Sequence, residues 1–125
     1  PGIIVDALTS NQAVITCLAN DLGYEYIFSN QLKVKAKKGD LLLVLSGSGN
    51  SKNIINAILK AREMDVKSYG IFGFDGGKAK NLVDQNIHFK IDDMQISEDL
   101  QLIVCHLCMQ WLNTKKGFLL KEVKS

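Results

Sequence analysis

Several things are missing from this chain, and each absence excludes a class of protein. No apolar run approaches the roughly 18–20 residues that a membrane-spanning helix needs. The longest, Leu41-Leu42-Leu43-Val44-Leu45, has the length of a strand. Charge of one sign is not in excess: 15 Lys and Arg face 13 Asp and Glu, for a net charge of +2. That balance gives no electrostatic footprint for nucleic acid. Cysteines number three, at Cys17, Cys105 and Cys108, an odd count without framework spacing. With no secretory pattern opening the chain, a reducing cytoplasm is the expected compartment. Internal repeats, low-complexity stretches and linkers are also absent, so 125 residues are expected to fold as one domain. Apolar residues make up 46% and charged residues 22%, which is ordinary globular composition with enough apolar surface for a real core.

What is present alternates between strand and helix patterns. Ile3 to Leu8 reads as a buried strand and Gln12 to Leu18 as a short helix. A second helix is expected from Asp21 to about Lys37, with Lys33, Lys35, Lys37 and Lys38 at its solvated end. The all-apolar run Leu41–Leu45 predicts a strand covered on both faces, as in parallel sheets. A helix follows from about Lys52 to Met64, with Ile54, Ile55, Ala57, Ile58 and Ala61 turned inward. Then come a strand over Ser68–Phe72, a turn at Phe74-Asp75-Gly76-Gly77, a short helix over Lys78–Val83 and a strand over Ile87–Ile91. A last long helix is expected to start near Ser97 as its cap, to break at Gly117, and to leave a short or frayed tail over Phe118–Ser125. Its wide apolar side includes Leu100, Ile103, Val104, Leu107, Cys108, Trp111 and Leu112, which suggests burial against another subunit. The expected fold class is α/β, a parallel sheet between helices.

The strongest chemical signal is Ser46-Gly47-Ser48-Gly49-Asn50-Ser51, after a buried strand and before a helix. Ligands of open α/β sheets sit at the carboxyl ends of strands, and a helix N-terminus offers free N–H groups to a phosphate. No lysine stands where a nucleotide-triphosphate loop requires one. The alternative is a plain turn in which Asn50 or Ser51 caps the next helix. Cys105-His106-Leu107-Cys108 lies mid-helix and has no second pair to complete a zinc site, so its thiols read as buried and structural, as does His88 in its strand.

The run from Gly39 to Ser51, continued by Asn53, Ile55, Ala57, Ala61-Arg62-Glu63 and Asp75-Gly76-Gly77-Lys78, resembles the core signature of SIS (sugar isomerase) domains. Ala7-Leu8-Thr9 and Ala19-Asn20-Asp21 fit it too, nearest to the phosphoheptose isomerase branch of that family. The resemblance implies a flavodoxin-like SIS fold over residues 1–125, with N-terminal helices, a first strand and further site residues upstream of Pro1. It also implies interconversion of a ketose phosphate and an aldose phosphate, sedoheptulose 7-phosphate and a heptose 7-phosphate, for lipopolysaccharide or capsule synthesis. Ser46, Ser48 and Ser51 would hold the phosphate, and Asn20 and Asp21 would contact the sugar, although Asp21 also suits the cap of the next helix.

On the last helix, Glu98-Asp99 takes the place of the family's Gln-Glu pair and His106 that of a histidine eight residues on. The resemblance makes His106 the base of the reaction and places Glu98 with it, the two also being zinc ligands in several members. A histidine packed among Val104, Leu107 and Cys108 is the alternative. Gly47 and Gln101 depart from the family's threonine and histidine. A homotetramer with sites between subunits is the implied assembly. Two other readings remain: a phosphosugar-binding regulatory module without catalysis, and a relative that binds the bacterial replication initiator.

Overall fold

The computed structural model describes residues 3–122, with side chains through residue 114. Three parallel strands, β1 (Leu41–Ser46), β2 (Lys67–Phe72) and β3 (Gln85–His88), lie in the order β1-β2-β3. Leu41 stands beside Lys67, Ser46 beside Phe72, and Phe72 beside His88. Four α-helices accompany them among the described residues: α1 (Gln12–Leu22), α2 (Ile27–Lys35), α3 (Lys52–Glu63) and α4 (Met94–Glu122). The expected α/β class with a parallel sheet and flanking helices is what forms.

Side chains alternate across a strand, so Leu42, Val44 and Phe72 share one face of the sheet. That face meets Ala57, Ile58 and Ala61 of α3 and Leu32 of α2, and this group is the core. Spacing of 57, 58 and 61 puts all three on one stripe of α3. Fully burying a residue such as Ile58 contributes about 1.5–3 kcal/mol.

The opposite face carries Leu41, Leu43, Leu45, Tyr69 and Ile71. Ile71 is buried there, and Gln101 of α4 donates from Nε2 to its carbonyl at 3.2 Å. Helix α4 thus crosses this face only at its carboxyl end. Leu43 remains 51% exposed, so the expectation that β1 is covered on both faces is not met within the described residues. A continuous apolar run signals burial, but it does not say which chain supplies the cover.

Four other expectations are corrected. Ile3–Leu8 forms no strand: residues 3–7 are irregular, Leu8 enters a turn, and Ile4 is fully exposed. Its attachments are Lys35 Nζ to Asp6 at 2.7 Å and Gln31 Nε2 to the Leu8 carbonyl at 2.9 Å. The helix expected from Asp21 is interrupted at Gly23, whose φ of 104° ends α1 before a 3-10 turn at Tyr24–Tyr26 and then α2. Ser97 is not the cap of α4. The Asp93 carboxylate accepts the Ile96 N–H at 2.9 Å, while Ser97 is buried one turn inside, with Oγ donating to the Asp93 carbonyl at 2.7 Å. Gly117 does not break the helix, which runs to Glu122, and residues 123–125 of the expected tail lie outside the described residues.

Candidate functional site

Ser46 closes β1, and its hydroxyl is buried beneath the turn that follows, accepting the Gly49 N–H at 3.1 Å. Ser48 Oγ accepts the Asn50 N–H at 3.3 Å and keeps its own proton available. Asn50 links two loops: its Nδ2 donates to the Ser48 carbonyl at 3.2 Å, and its Oδ1 accepts the Lys78 N–H at 3.1 Å. Ser51 occupies the N-cap position of α3, as the plain-turn alternative also expects, but its hydroxyl makes no capping hydrogen bond. Asn53 Oδ1 accepts the Ile54 N–H at 2.8 Å. The N–H groups of Ser51, Lys52 and Asn53 then have no acceptor among the described residues. They stand with the Ser51 hydroxyl at the positive end of the α3 dipole, which is the arrangement an oxyanion requires.

The turn Gly73–Lys78 holds this loop from one side. Gly73 N–H donates to the Gly47 carbonyl at 2.9 Å and Ala79 N–H to the Gly49 carbonyl at 2.9 Å. Gly49 has φ 64°, and a side chain there would fall on the Gly76 carbonyl. Phe74 adopts φ 46°, uncommon for a bulky residue. Its N–H donates to the Ile91 carbonyl at 3.0 Å, and its carbonyl accepts from His88 Nε2 at 3.0 Å. His88 Nδ1 in turn faces Lys80 Nζ at 2.9 Å, so an Nε2–H tautomer satisfies both contacts. His88 is structural, as expected, but what it supports is the wall of the candidate site. Its position in a strand gave no signal of this.

Asn20 and Asp21 sit in the last turn of α1. Asn20 Nδ2 donates to Asp21 Oδ1 at 2.9 Å, and Cys17 Sγ reaches Asp21 Oδ2 at 3.5 Å. The Asp21 carboxylate holds the Cys17 thiol above its ordinary pKa, so the thiol stays protonated. Asp21 does not cap the following turn, and no hydrogen bond among the described residues joins either residue to the serine loop.

Glu98 and His106 are both exposed on α4. Ser97 and Gln101 mark the side of that helix that docks on the sheet. His106 is nine residues beyond Ser97, about 180° around the axis, and Glu98 is about 80° from His106. His106 therefore faces away from the docked side of the helix, whereas Glu98 is only about 60° from Gln101 and one turn beyond Met94, whose Sδ packs against Gly47 of the serine loop. The structure brings Ser46, Ser48 and Ser51 together, leaves His106 on an outward face, and puts Glu98 at the edge of the docked side of α4. Cys108 is exposed and Cys105 half-buried, which corrects the expectation of buried thiols.

Glu98 and His106 are two donors separated by about 12 Å of helix axis, and a zinc site takes at least three protein ligands. Among the described residues no group of three or more His, Cys, Asp or Glu is placed to hold a metal. The residues present do not make a zinc site by themselves.

A parallel α/β sheet with a small-residue loop between a strand end and a helix N-terminus defines a class of anion-binding domains. The family model for the SIS domain matches residues 2–73, and the chain belongs to that family. Phosphoheptose isomerase of Aliarcobacter butzleri is 37% identical over 115 residues, covering 92% of this chain and 59% of that protein. The phosphoheptose isomerase of Glaesserella parasuis is 41% identical over 112 residues, covering 87% and 57%. Among solved structures, phosphoheptose isomerase from Neisseria gonorrhoeae superposes with a TM-score of 0.80 at 30% identity, covering 82% of this chain and 58% of that one. The chain thus spans less than two thirds of the length of the curated relatives it matches. Among the described residues no helix is long and apolar enough to cross a membrane.

Proposed function

We propose that this chain is a phosphosugar isomerase of the phosphoheptose type, converting sedoheptulose 7-phosphate to a heptose 7-phosphate in lipopolysaccharide or capsule synthesis in the cytoplasm. The observation that carries the reading is the serine loop. It offers the Ser48 and Ser51 hydroxyls and three free N–H groups at one helix N-terminus, in a chain whose relatives are named for that reaction. Ser46 shapes the loop from beneath. Asn20 and Asp21 are proposed as contacts to the sugar.

The reaction moves a proton between adjacent carbons. A base takes it from the carbon beside the carbonyl, the carbonyl oxygen gains a proton as the enediol forms, and both shifts reverse on the neighbouring carbon. His106 is proposed as the base, and Glu98, two turns earlier on α4, as the group that serves the oxygens. Because His106 turns away from the docked side of α4, it would meet the serine loop of a second copy. A homo-oligomer, proposed as a tetramer, supplies that geometry. It would also cover Leu102, Ile103 and Leu107, each more than half exposed here. A zinc ion at Glu98 and His106 would need ligands beyond the described residues, and no step is routed through one.

The outward position of His106 also favours a second reading, a binding module without turnover. Conversion of sedoheptulose 7-phosphate, with and without added zinc, separates the two. Turnover by the chain that is lost in His106→Ala supports the isomerase. Protection against thermal unfolding by the sugar phosphate without turnover supports the module, and neither effect would sink the phosphosugar reading.

A further inference from the structure

Gly47 lies inside the serine loop, and its φ is not positive, so the backbone itself does not require glycine there. What occupies the space of a side chain at this position is Met94, the first residue of α4. A Cβ on Gly47 would lie 2.5 Å from Met94 Sδ and 3.3 Å from Met94 Cε, with Phe74 Cε2 at 3.8 Å. A thioether brought by a distant helix thus plugs the loop.

The same helix rests on the neighbouring strand end. A Cβ on Gly73 would fall 2.7 Å from Ser97 Cβ, and the Gly73 N–H donates to the Gly47 carbonyl at 2.9 Å. Gln101 Nε2 reaches the Ile71 carbonyl at 3.2 Å. Met94, Ser97 and Gln101 follow one another at helical spacing along one stripe of α4. They differ in burial. Ser97 and Gln101 are buried and tie the helix to the sheet, whereas Met94 is 38% exposed and is the anchor that reaches the loop.

Glycine has the widest backbone freedom of any residue. Gly47 stands between Ser46 and Ser48, whose hydroxyls accept the Gly49 and Asn50 N–H groups and set the shape of the loop. A plug over Gly47 narrows that freedom and holds the loop in one arrangement before a ligand arrives, which favours binding. Such coupling is reciprocal. An anion that fixes the loop also fixes Met94, and with it Glu98 one turn further along α4.

We infer that Met94 is a positioning residue: seated on Gly47, it couples occupancy of the serine loop by a phosphate to the seating of the first turns of α4. The inference rests on the phosphate reading proposed above and adds a residue that the Ser-Gly pattern does not contain.

The test uses the 125-residue chain with inorganic phosphate as the probe, titrated by calorimetry and followed by backbone amide resonances. The variants are Met94→Ala, Met94→Leu and the double Gly47→Ala/Met94→Ala. Met94→Ala is expected to weaken phosphate about 5- to 10-fold, because Gly47 is released. Met94→Leu, close in volume, is expected to stay within about 2-fold of wild type. The double variant is expected to return to within about 2-fold, since a methyl at position 47 fills the vacated space and restricts the backbone. At saturating phosphate the Glu98 amide is expected to move in wild type and in Met94→Leu but not in Met94→Ala.

If wild type binds phosphate and Met94→Ala binds it equally well, the coupling is overturned while the serine-loop reading stands. The same holds if the double variant binds no better than Met94→Ala, or if the Glu98 amide moves equally in Met94→Ala. Loss of cooperative melting in Met94→Ala would make Met94 a packing residue and overturn the role as well. If wild type binds no phosphate, the serine-loop reading fails and the role of Met94 falls with it.

Discussion

Replacing Gly49 by alanine tests whether the serine loop and the turn after β2 are one interlocked unit. Two costs add at this position. Gly49 has φ 64°, where a Cβ meets its own backbone at about 1–2 kcal/mol. The new methyl would also lie 2.6 Å from the Gly76 carbonyl carbon, a backbone atom that cannot rotate aside. Relieving that overlap displaces Gly76 and, with it, the bonds from Ala79 to Gly49 and from Lys78 to Asn50. Overpacking of this kind costs typically about 1–3 kcal/mol.

The expected total for Gly49→Ala is therefore about 2–5 kcal/mol. With a urea slope of about 1–3 kcal/mol/M for a small protein, the unfolding midpoint followed by circular dichroism should fall by about 1–2 M. Gly39→Ala is the control. Gly39 also has positive φ, at 95°, yet a Cβ there meets nothing within 4 Å. Its loss should be the backbone cost alone, about 1–2 kcal/mol. A midpoint for Gly49→Ala no lower than that for Gly39→Ala would refute the interlock.

Other consequences are open to measurement. Asp84 accepts the Ser68 N–H at 2.8 Å and the Ser68 hydroxyl at 2.9 Å, with Lys67 Nζ at 3.1 Å, and these hold its carboxyl at about 2. That value lies below the unfolded one of about 3.9, so its contribution is full above about pH 4 and is lost as pH falls toward 2. Asp84→Asn should flatten the unfolding midpoint against pH in that window, and an unchanged slope would contradict the assignment. His88→Ala removes the bonds to Phe74 and Lys80 and should cost about 1–3 kcal/mol in chemical unfolding. His88→Gln keeps one donor and one acceptor and should recover much of that loss. Leu107→Lys, on the exposed side of α4, should leave monomer stability within about 0.5 kcal/mol and shift sedimentation toward smaller species if that side is an interface.

The sequence is most informative where local pattern and packing agree. Strand β1, helix α3 and the loop between them were legible because an apolar run, a small-residue turn and a period of 3.6 follow one another directly. Ile3–Leu8 has the composition of a strand but no partner strand within the described residues, and composition does not report partners. Gly23 divided an expected helix because its backbone, at φ 104°, leaves the helical region. At the start of α4 the sequence points to Ser97 as the cap, but Ser97 is buried against Gly73 and the Asp93 carboxylate accepts the Ile96 N–H instead.

Gln101 shows the same limit from another side. It departs from the family pattern at a position near the expected base, yet here it is buried and anchors α4 to the Ile71 carbonyl. The packing of Met94 on Gly47 and the support of Phe74 by His88 left no motif, because separate segments meet only after the sheet forms. The one sign available was the Asp75-Gly76-Gly77 turn, whose glycines adopt φ of 84° and 54° to bring it against the loop.

The central claim is that the loop from Ser46 to Asn53 receives the phosphate of a phosphosugar. It is tested most directly by following the backbone amide resonances of the chain during titration with sedoheptulose 7-phosphate. The account predicts saturable shifts concentrated at Ser48, Ser51, Lys52 and Asn53. Saturable shifts confined to other elements, or none at millimolar ligand, would contradict it.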